Sequence, residues 1–558
     1  MSVVFRRFHV FTTNLRICKC HHSGSVLVLG VHNLFQKDQA LTPLSKQINK
    51  ELNGQIVAGI DRMRIEHDVT HDKFSPAVVL RDIKFESFSK IHIVNLLPYT
   101  PPPDSISLPH SSQLLSLSYC LEQGDWGEFE NFRYSEWVRR QSALAVHHNR
   151  KYNSIHMDPM CDPQSVAEGA TLASFKVNLK SKSNAKDNLP NISQFKQGNG
   201  HVELWNKGVL IAEMQNNARR LSELPSNLLD PAGFVSNARS LLYPNDTGCL
   251  NYDVKDPKWI EHNLPGVHHV AKGSKTEPRF LTISYEGDKT TEDTYVIIGK
   301  GVVFDSGGIS LKPPASMELM RGDMSGAAVA LSVFSACVKL KVPINLVCLI
   351  PLVENMPSST AIKPGDMITM HNGNNVIVNN TDAEGRLILA DTLSYANKYN
   401  PKLVVNIATL TGASDIALGD SYSALFSNCN ALSDKLSVCG AATGEFLWPM
   451  PIHYDYLAAL RKSNADLDNI SAGRSAGSGV GAAFLSEFVS YPWAHIDIGG
   501  SMMQKSESIP YLRPKLMNGR PTRALINFFS NPKLSSCEYV QTPKPYSLTT
   551  DKYQPTSD

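Results

Sequence analysis

The sequence predicts an α/β protein, with a small N-terminal α/β domain followed by a larger α/β domain built on a mostly parallel central sheet. Three observations carry that expectation. Beyond residue 204, continuous apolar runs alternate with segments of helical periodicity, as parallel strands covered on both faces do. At 558 residues the chain is too long for one core. Its 42% hydrophobic and 19% charged residues are those of an ordinary globular protein.

The elements follow in chain order. Residues 1–23 read as a basic leader: no acid precedes Asp38, while Arg6, Arg7, Arg16 and Lys19 lie among Val, Phe, Ser and Thr. That is the composition of a mitochondrial transit peptide, so a mitochondrial location is expected, with the cytoplasm as the alternative. The N-terminal α/β domain, 24–175, takes strands from "GSVLVLGV", "AVVLRDI" and "KIHIVNLL", and helices from "SEWVRRQSALAVHHN" and "PQSVAEGATLASF". A Lys, Ser and Asn-rich linker spans 176–203. The larger domain, 204–530, opens on a long helix from "LWNKGVLIAEMQNNARRLSEL". "TYVIIG", "INLVCLIPL", "LVVNIATL" and "AHIDIGG" follow as strands, and "GDMSGAAVALSVFSACVKL" and "EGRLILADTLSYANKY" as helices. A polar tail fills 531–558.

The bulk numbers exclude several classes. A net charge of +2 gives no electrostatic reason to expect nucleic acid, and no apolar run is long enough to span a bilayer. Ten scattered cysteines without a C-x-x-C pair argue against a zinc ribbon or a redox dithiol. The Gly/Ser run "SAGRSAGSGVGAAF" lacks the G-K-[ST] ending of a phosphate loop.

Ligands of open α/β sheets sit at the C-terminal ends of strands, and the charged residues expected there form one group. Lys300 and Asp305 follow "TYVIIG", then come Lys312 and Asp323, and Asp382, Glu384 and Arg386 follow "NVIVNN". Alone, Asp382 reads as a helix cap, Glu384 as a first-turn acid and Arg386 as a surface charge. Together, so many carboxylates repel unless cations compensate them, and hard oxygen ligands suit divalent metals. The H-E-x-x-H pair of single-zinc proteases is absent.

The blocks "VIIGKGVVFDSGGISLKP", "MRGDMSGAAV", "PLVENMPS" and "NTDAEGRLILADTL" resemble those of the leucyl aminopeptidases, the dinuclear cytosol aminopeptidases of metallopeptidase family M17. "ATLTGA", "WAHIDIGG" and "PYLRPKLMNGRPTRALI" extend the resemblance, which runs from about Trp205 to Phe529. It implies a metal-dependent exopeptidase that removes N-terminal Leu, Met or other apolar residues from short peptides. It also implies two divalent ions per subunit, zinc or manganese with magnesium as a further candidate, held by Lys300, Asp305, Asp323, Asp382 and Glu384. Lys312 would stabilise the oxyanion, and Arg386 would hold a bicarbonate acting as general base. The substrate pocket would be formed by Met320, Asn380, Thr409, Gly412, Gly499 and Met502, with Gly499 widening the slot where relatives often have alanine. A homohexamer is implied as well, with no nucleic-acid or membrane partner. The alternative is a catalytically silent member serving as a structural or binding protein, against which all seven metal and catalytic positions are retained.

Overall fold

The computed structural model describes residues 11–12, 25–31, 77–85, 88–95, 126–150, 153–159, 162–180, 189–195, 202–242, 248–505 and 507–530. They fall into two compact units, drawn from Met1–Glu223, Val438–Phe446 and Met503–Asn527, and from Leu224–Ser437, Leu447–Met502 and Phe528–Asp558.

The first unit carries β1 (Phe11–Thr12), β2 (Ser25–Val31), β3 (Ala77–Phe85), β4 (Phe88–Asn95), α1 (Trp126–Asn149), β5 (Ser154–Met157), α2 (Pro163–Ala173), β6 (Asn191–Gln194) and α3 (Val202–Glu223). Its strands form one sheet in the order β1-β3-β4-β2-β5-β6, parallel except where β3 meets β4. Two residues of the expected leader thus pair with β3, and the rest of residues 1–23 lies outside the described residues. The expected linker contains β6, while the tail 531–558 again lies outside them. Asp162 caps α2 through the Ser165 N–H, with Pro163 opening the helix. At the other end of α2, Asn216, Arg219 and Arg150 donate to the carbonyls of Thr171, Leu172 and Ala173. Helix ends leave those acceptors unpaired and favour cations there. The helix α3, expected to open the catalytic domain, belongs to this first unit because it is bound to α2 in this way.

The second unit is built on a sheet ordered β16-β15-β18-β14-β9-β11-β8-β7. Its elements begin with α4 (Pro231–Leu242), β7 (Leu250–Lys255), α5 (Pro257–Asn263), α6 (Pro265–Ala271), β8 (Arg279–Glu286), β9 (Thr294–Gly299) and β10 (Gly301–Asp305). A 3-10 turn, Met317–Met324, leads into α7 (Ser325–Lys339), β11 (Asn345–Asn355), β12 (Met367–Thr369), β13 (Asn375–Ile377), α8 (Gly385–Ala396), β14 (Leu403–Ala408), α9 (Gly412–Leu418) and β15 (Ser423–Ser427). After α10 (Asn430–Thr443), whose residues from Val438 on belong to the first unit, come β16 (Leu447–Pro449), α11 (Tyr454–Ala458), β17 (Leu467–Asp468), α12 (Gly477–Ser486) and β18 (Trp493–Asp497); α13 (Thr522–Phe529) belongs to the first unit up to Asn527.

Strands β18, β14, β9 and β11 run parallel through the middle, as expected, and antiparallel pairs flank them. These central strands are buried nearly throughout, which is why they read as unbroken apolar runs. Helix α7 lies close on them. A β-carbon at Gly326 would fall well inside contact distance of the Ile407 carbonyl, and the Ala327 N–H donates to Lys300 O. Ile298, Leu349, Ile388, Leu389 and Trp493 belong to one buried apolar cluster. Among the described residues, no helix is long and apolar enough to cross a membrane.

Two placements differ from the sequence expectation. Asp305 does not lie in a loop after β9 but closes a further strand, β10, which pairs with the far half of β11. The Asp382 segment does not leave the main sheet at all. It follows β13 in a small sheet ordered β12-β13-β17.

Candidate metal centre

Lys300 sits in the single-residue step between β9 and β10, held by its N–H to Ile407 O at 3.0 Å. Asp305 ends β10, and Asp323 is the penultimate residue of the 3-10 turn that leads into α7. Asp382 and Glu384 lie on the turn that enters α8. The two loops carrying these groups are tied together: Ser310 N donates to Thr381 Oγ1 (2.8 Å), Thr381 N to Ser310 Oγ (3.1 Å), and Thr381 Oγ1 to Gly307 O (2.6 Å).

The result is one buried cluster. Carboxylate oxygens of Asp305, Asp382 and Glu384 lie within 4.8 Å of one another. Lys300 Nζ bridges to Asp323 and Glu384, at 2.8 Å each, and donates to Thr409 O at 2.9 Å. Lys312 Nζ pairs with Asp305 at 2.8 Å and with Asp382. Neither acid at the start of α8 caps it: Glu384 holds the cap position without a side-chain bond, and Asp382 faces Lys312. The capping interpretation of that stretch is therefore excluded.

Electrostatics favour added cations. Four carboxylates face two ammonium groups in a site where Lys300, Asp305, Asp323 and Glu384 are all buried. Burial, with the neighbouring carboxylates, pushes Asp323 and Asp382 above the ordinary carboxylate range despite the two lysines. Asp323 Oδ2 has no hydrogen-bond partner. An acidic, oxygen-rich, under-neutralised cluster fits divalent ions. Burial alone would depress Lys300, but Asp323, Glu384 and Asp305 outweigh it and hold the ammonium above its usual range. Only cations can turn that side chain into an amine ligand; the carboxylates oppose it.

Arg386 is buried, not a surface charge. It donates from Nη1 to Asn469 O at 2.8 Å, and its Nε has no partner. Burial lowers it to about 10, although Glu384 and Asp497 act against that. Ser306 Oγ is spent on Asn355 O at 2.8 Å, which removes it as a nucleophile.

The residues expected to bind substrate lie on four segments. Met320 is half-buried in the 3-10 turn that carries Asp323, and Asn380 accepts the Asp382 N–H at 2.8 Å. Thr409 and Gly412 flank the turn between β14 and α9, and Gly499 and Met502 lie in the turn after β18. Thr409 also joins the carboxylate cluster, donating from Oγ1 to Asp323 Oδ1 at 2.6 Å. At Gly499 a β-carbon would strike Thr411 O, so this glycine permits two turns to touch rather than only widening a slot.

Three residues went unnoticed in the sequence. Asn355 donates to Asp305 Oδ1 (2.8 Å) and Thr381 O (3.1 Å), fixing a carboxylate from behind. Asn469 accepts the N–H groups of Asn379 and Asn380 and returns a bond to Asn380 O. Asp497 binds the turn after β14. Asn355 had a signal, as a polar residue closing a long apolar strand; Asn469 had none.

Comparison with known proteins agrees with this geometry. The catalytic-domain model of the cytosol aminopeptidase family matches residues 216–526. The human cytosol aminopeptidase is 45% identical over 67% of this chain and 72% of its own length. The cytosol aminopeptidase of Dictyostelium discoideum is 37% identical over 88% of this chain and 91% of its own. A solved structure of the bottromycin maturation enzyme BotP in complex with Mn is 25% identical, covers 91% of this chain and 99% of that one, and has a TM-score of 0.71. A buried carboxylate cluster, a family match over more than half the chain and relatives of this identity lead to one statement: the chain belongs to the cytosol aminopeptidase family, the M17 peptidases.

Proposed function

We propose that this metal-dependent aminopeptidase removes leucine, methionine and other apolar residues from the N-termini of short peptides, at the centre formed by Lys300, Asp305, Asp323, Asp382 and Glu384. The observation that carries the reading is the clustering of Asp305, Asp382 and Glu384 under incomplete neutralisation. Two divalent ions there, zinc, manganese or magnesium, would supply hydroxide from a shared water at neutral pH and polarise the scissile carbonyl.

The chain's own residues do the rest. Lys312 is the accessible ammonium of the site, its side chain 21% exposed, and is placed to donate to a carbonyl oxygen as negative charge develops. Arg386 is a buried cation without an ion pair among the described residues, a setting that suits bicarbonate as the general base. Met320, Thr409, Gly412, Gly499 and Met502 would receive the N-terminal side chain, and Asn380 would hold the Asp382 turn. A homohexamer is proposed from the family resemblance, and light scattering giving a monomeric mass for active enzyme would refute it. A mitochondrial address in residues 1–23 rests on their composition, whereas the relatives are named for the cytosol. Fusing residues 1–40 to a fluorescent protein decides between the two.

The main test is direct. Purified protein, stripped by chelation and reloaded with Mn²⁺ or Zn²⁺, is expected to release leucine from leucyl amide and to be idle when stripped. Glu384→Ala should lose both activity and bound metal. Protein holding two ions per chain yet inert on every aminoacyl amide would overturn the reading in favour of a silent member.

A further inference from the structure

Asp497, the last residue of β18, is 1% exposed and has no ion pair among the described residues. Every bond it makes is accepted. Oδ1 receives the N–H groups of Leu410 (3.1 Å), Thr411 (3.3 Å) and Gly499 (3.0 Å), and the Ser414 hydroxyl (3.2 Å). Oδ2 receives the Thr411 hydroxyl at 2.6 Å. These donors come from the turn after β14, the start of α9 and the turn after β18.

The same two turns supply Thr409, Gly412, Gly499 and Met502. Their approach is close, since a β-carbon at Gly499 would strike Thr411 O. Ser414 adds a second tie, accepting the Gly500 N–H at 3.2 Å, and Thr411 Oγ1 lies 2.7 Å from Ser478 Oγ on α12. Of the ties between the two pocket walls, the Asp497 carboxylate gathers the most hydrogen bonds.

We propose that Asp497 sets the selectivity for the substrate's N-terminal side chain, by fixing the 409–414 turn against the 499–502 turn as a hydrogen-bond acceptor and not as a charge. The inference rests on the pocket assignment in the proposed function. Asp497 is a positioning residue, because it acts through the turns and not on the substrate. The alternative role, counter-charge to Arg386, makes an opposite prediction for asparagine. In Asp497→Asn, Oδ1 keeps its four donors, and Nδ2 can donate to Thr411 Oγ1 while that hydroxyl turns toward Ser478. Asparagine preserves the hub and deletes the charge.

The experiment compares kcat and KM for leucyl, methionyl, alanyl and glycyl amides in metal-loaded wild type, Asp497→Asn, Asp497→Ala and Thr411→Val, with bound metal measured in each. Asp497→Asn is expected to keep the wild-type leucyl-to-glycyl ratio of kcat/KM within about threefold, given the intact acceptor. Asp497→Ala should lower that ratio by roughly tenfold, through KM for the leucyl substrate, with metal content unchanged. Thr411→Val, which removes one of the five bonds to Asp497 together with the α9 cap on the Ser414 N–H and the bond to Ser478, should lower it by a smaller factor. If Asp497→Ala does not fold, the contrast of Asp497→Asn with Thr411→Val still decides. An unchanged ratio in Asp497→Ala, or in Thr411→Val where the alanine variant fails, overturns the inference. So does an asparagine variant as impaired as alanine. Wild-type protein inert on all four amides would instead overturn the functional reading.

Discussion

At the scale of single residues, the centre depends on neutral partners as much as on its charges. Asn355 is the clearest case: its amide holds Asp305 Oδ1, and its carbonyl takes both the N–H and the hydroxyl of Ser306. Asn355→Ala should weaken metal binding by about 10–100-fold, as loss of a supporting bond to a ligand does, with activity recovered at high metal concentration. Chelator competition measures it, and wild-type affinity would exclude the role. His495 makes a different prediction. Its ring lies between Phe426 and Trp493, bonded through Nδ1 to the Asn406 amide, and burial, helped by the Arg386 charge, lowers it to about 3. The folded value is below the unfolded one, so the neutral ring is favoured. Its contribution to stability is complete above about 6.5 and is lost as the pH falls toward 3. NMR should find the ring neutral from pH 7 to 4.5; a midpoint near 6.5 would contradict this burial argument.

At the scale of elements, close packing rather than propensity places the site. Gly326 lets α7 lie on β14, and the neighbouring Ala327 N–H holds the Lys300 carbonyl. Gly326→Ala should cost about 1–3 kcal/mol in urea unfolding, the usual range for overpacking, and should weaken metal binding by moving Lys300. Full stability and affinity would show that the strand and helix can part without cost. Much of this level was legible in advance. The core strands are apolar along their whole length, so β9 and β14 announced themselves, as did α8 with its helical spacing. Strand β10 did not, because "GVVFD" follows β9 after one residue and reads as its continuation. The origin of the Asp382 turn was hidden too, since β13 is three residues long and its partners β12 and β17 are as short. Short strands carry too few alternations to reveal a period. The residues of the carboxylate cluster and their order were readable from local blocks, while Asn469, 83 residues from the Arg386 it meets, could come only from the fold.

At the scale of the molecule, the chain does not run through its units once each. The first unit takes back residues 438–446 and 503–527, and these bring Glu445, Tyr511 and Arg523 to helices near the other end of the sequence. Arg523, fully buried, reaches Gln215 (2.8 Å), Glu168 (3.4 Å), Glu445 (3.5 Å) and the Tyr511 hydroxyl (3.2 Å). Tyr511 in turn donates to Glu136, and Arg139 holds Glu168 at 2.7 Å. Arg523→Met leaves Glu445 without its ion pair and Glu168 with only one, so a loss of about 3–5 kcal/mol is expected on chemical unfolding. A stability within about 1 kcal/mol of wild type, on the order of a surface change, would contradict it.

That distant arginine also imposes a timetable on the ribosome. Helices α1 to α3 are made early, but Arg523, which joins their buried carboxylate network, is translated about 300 residues after the last of them. At roughly 5–20 residues per second, the 300 residues between Glu223 and Arg523 take on the order of 15–60 s to make. Through that interval Glu168 has Arg139 as its cation, and its second partner is still to be made.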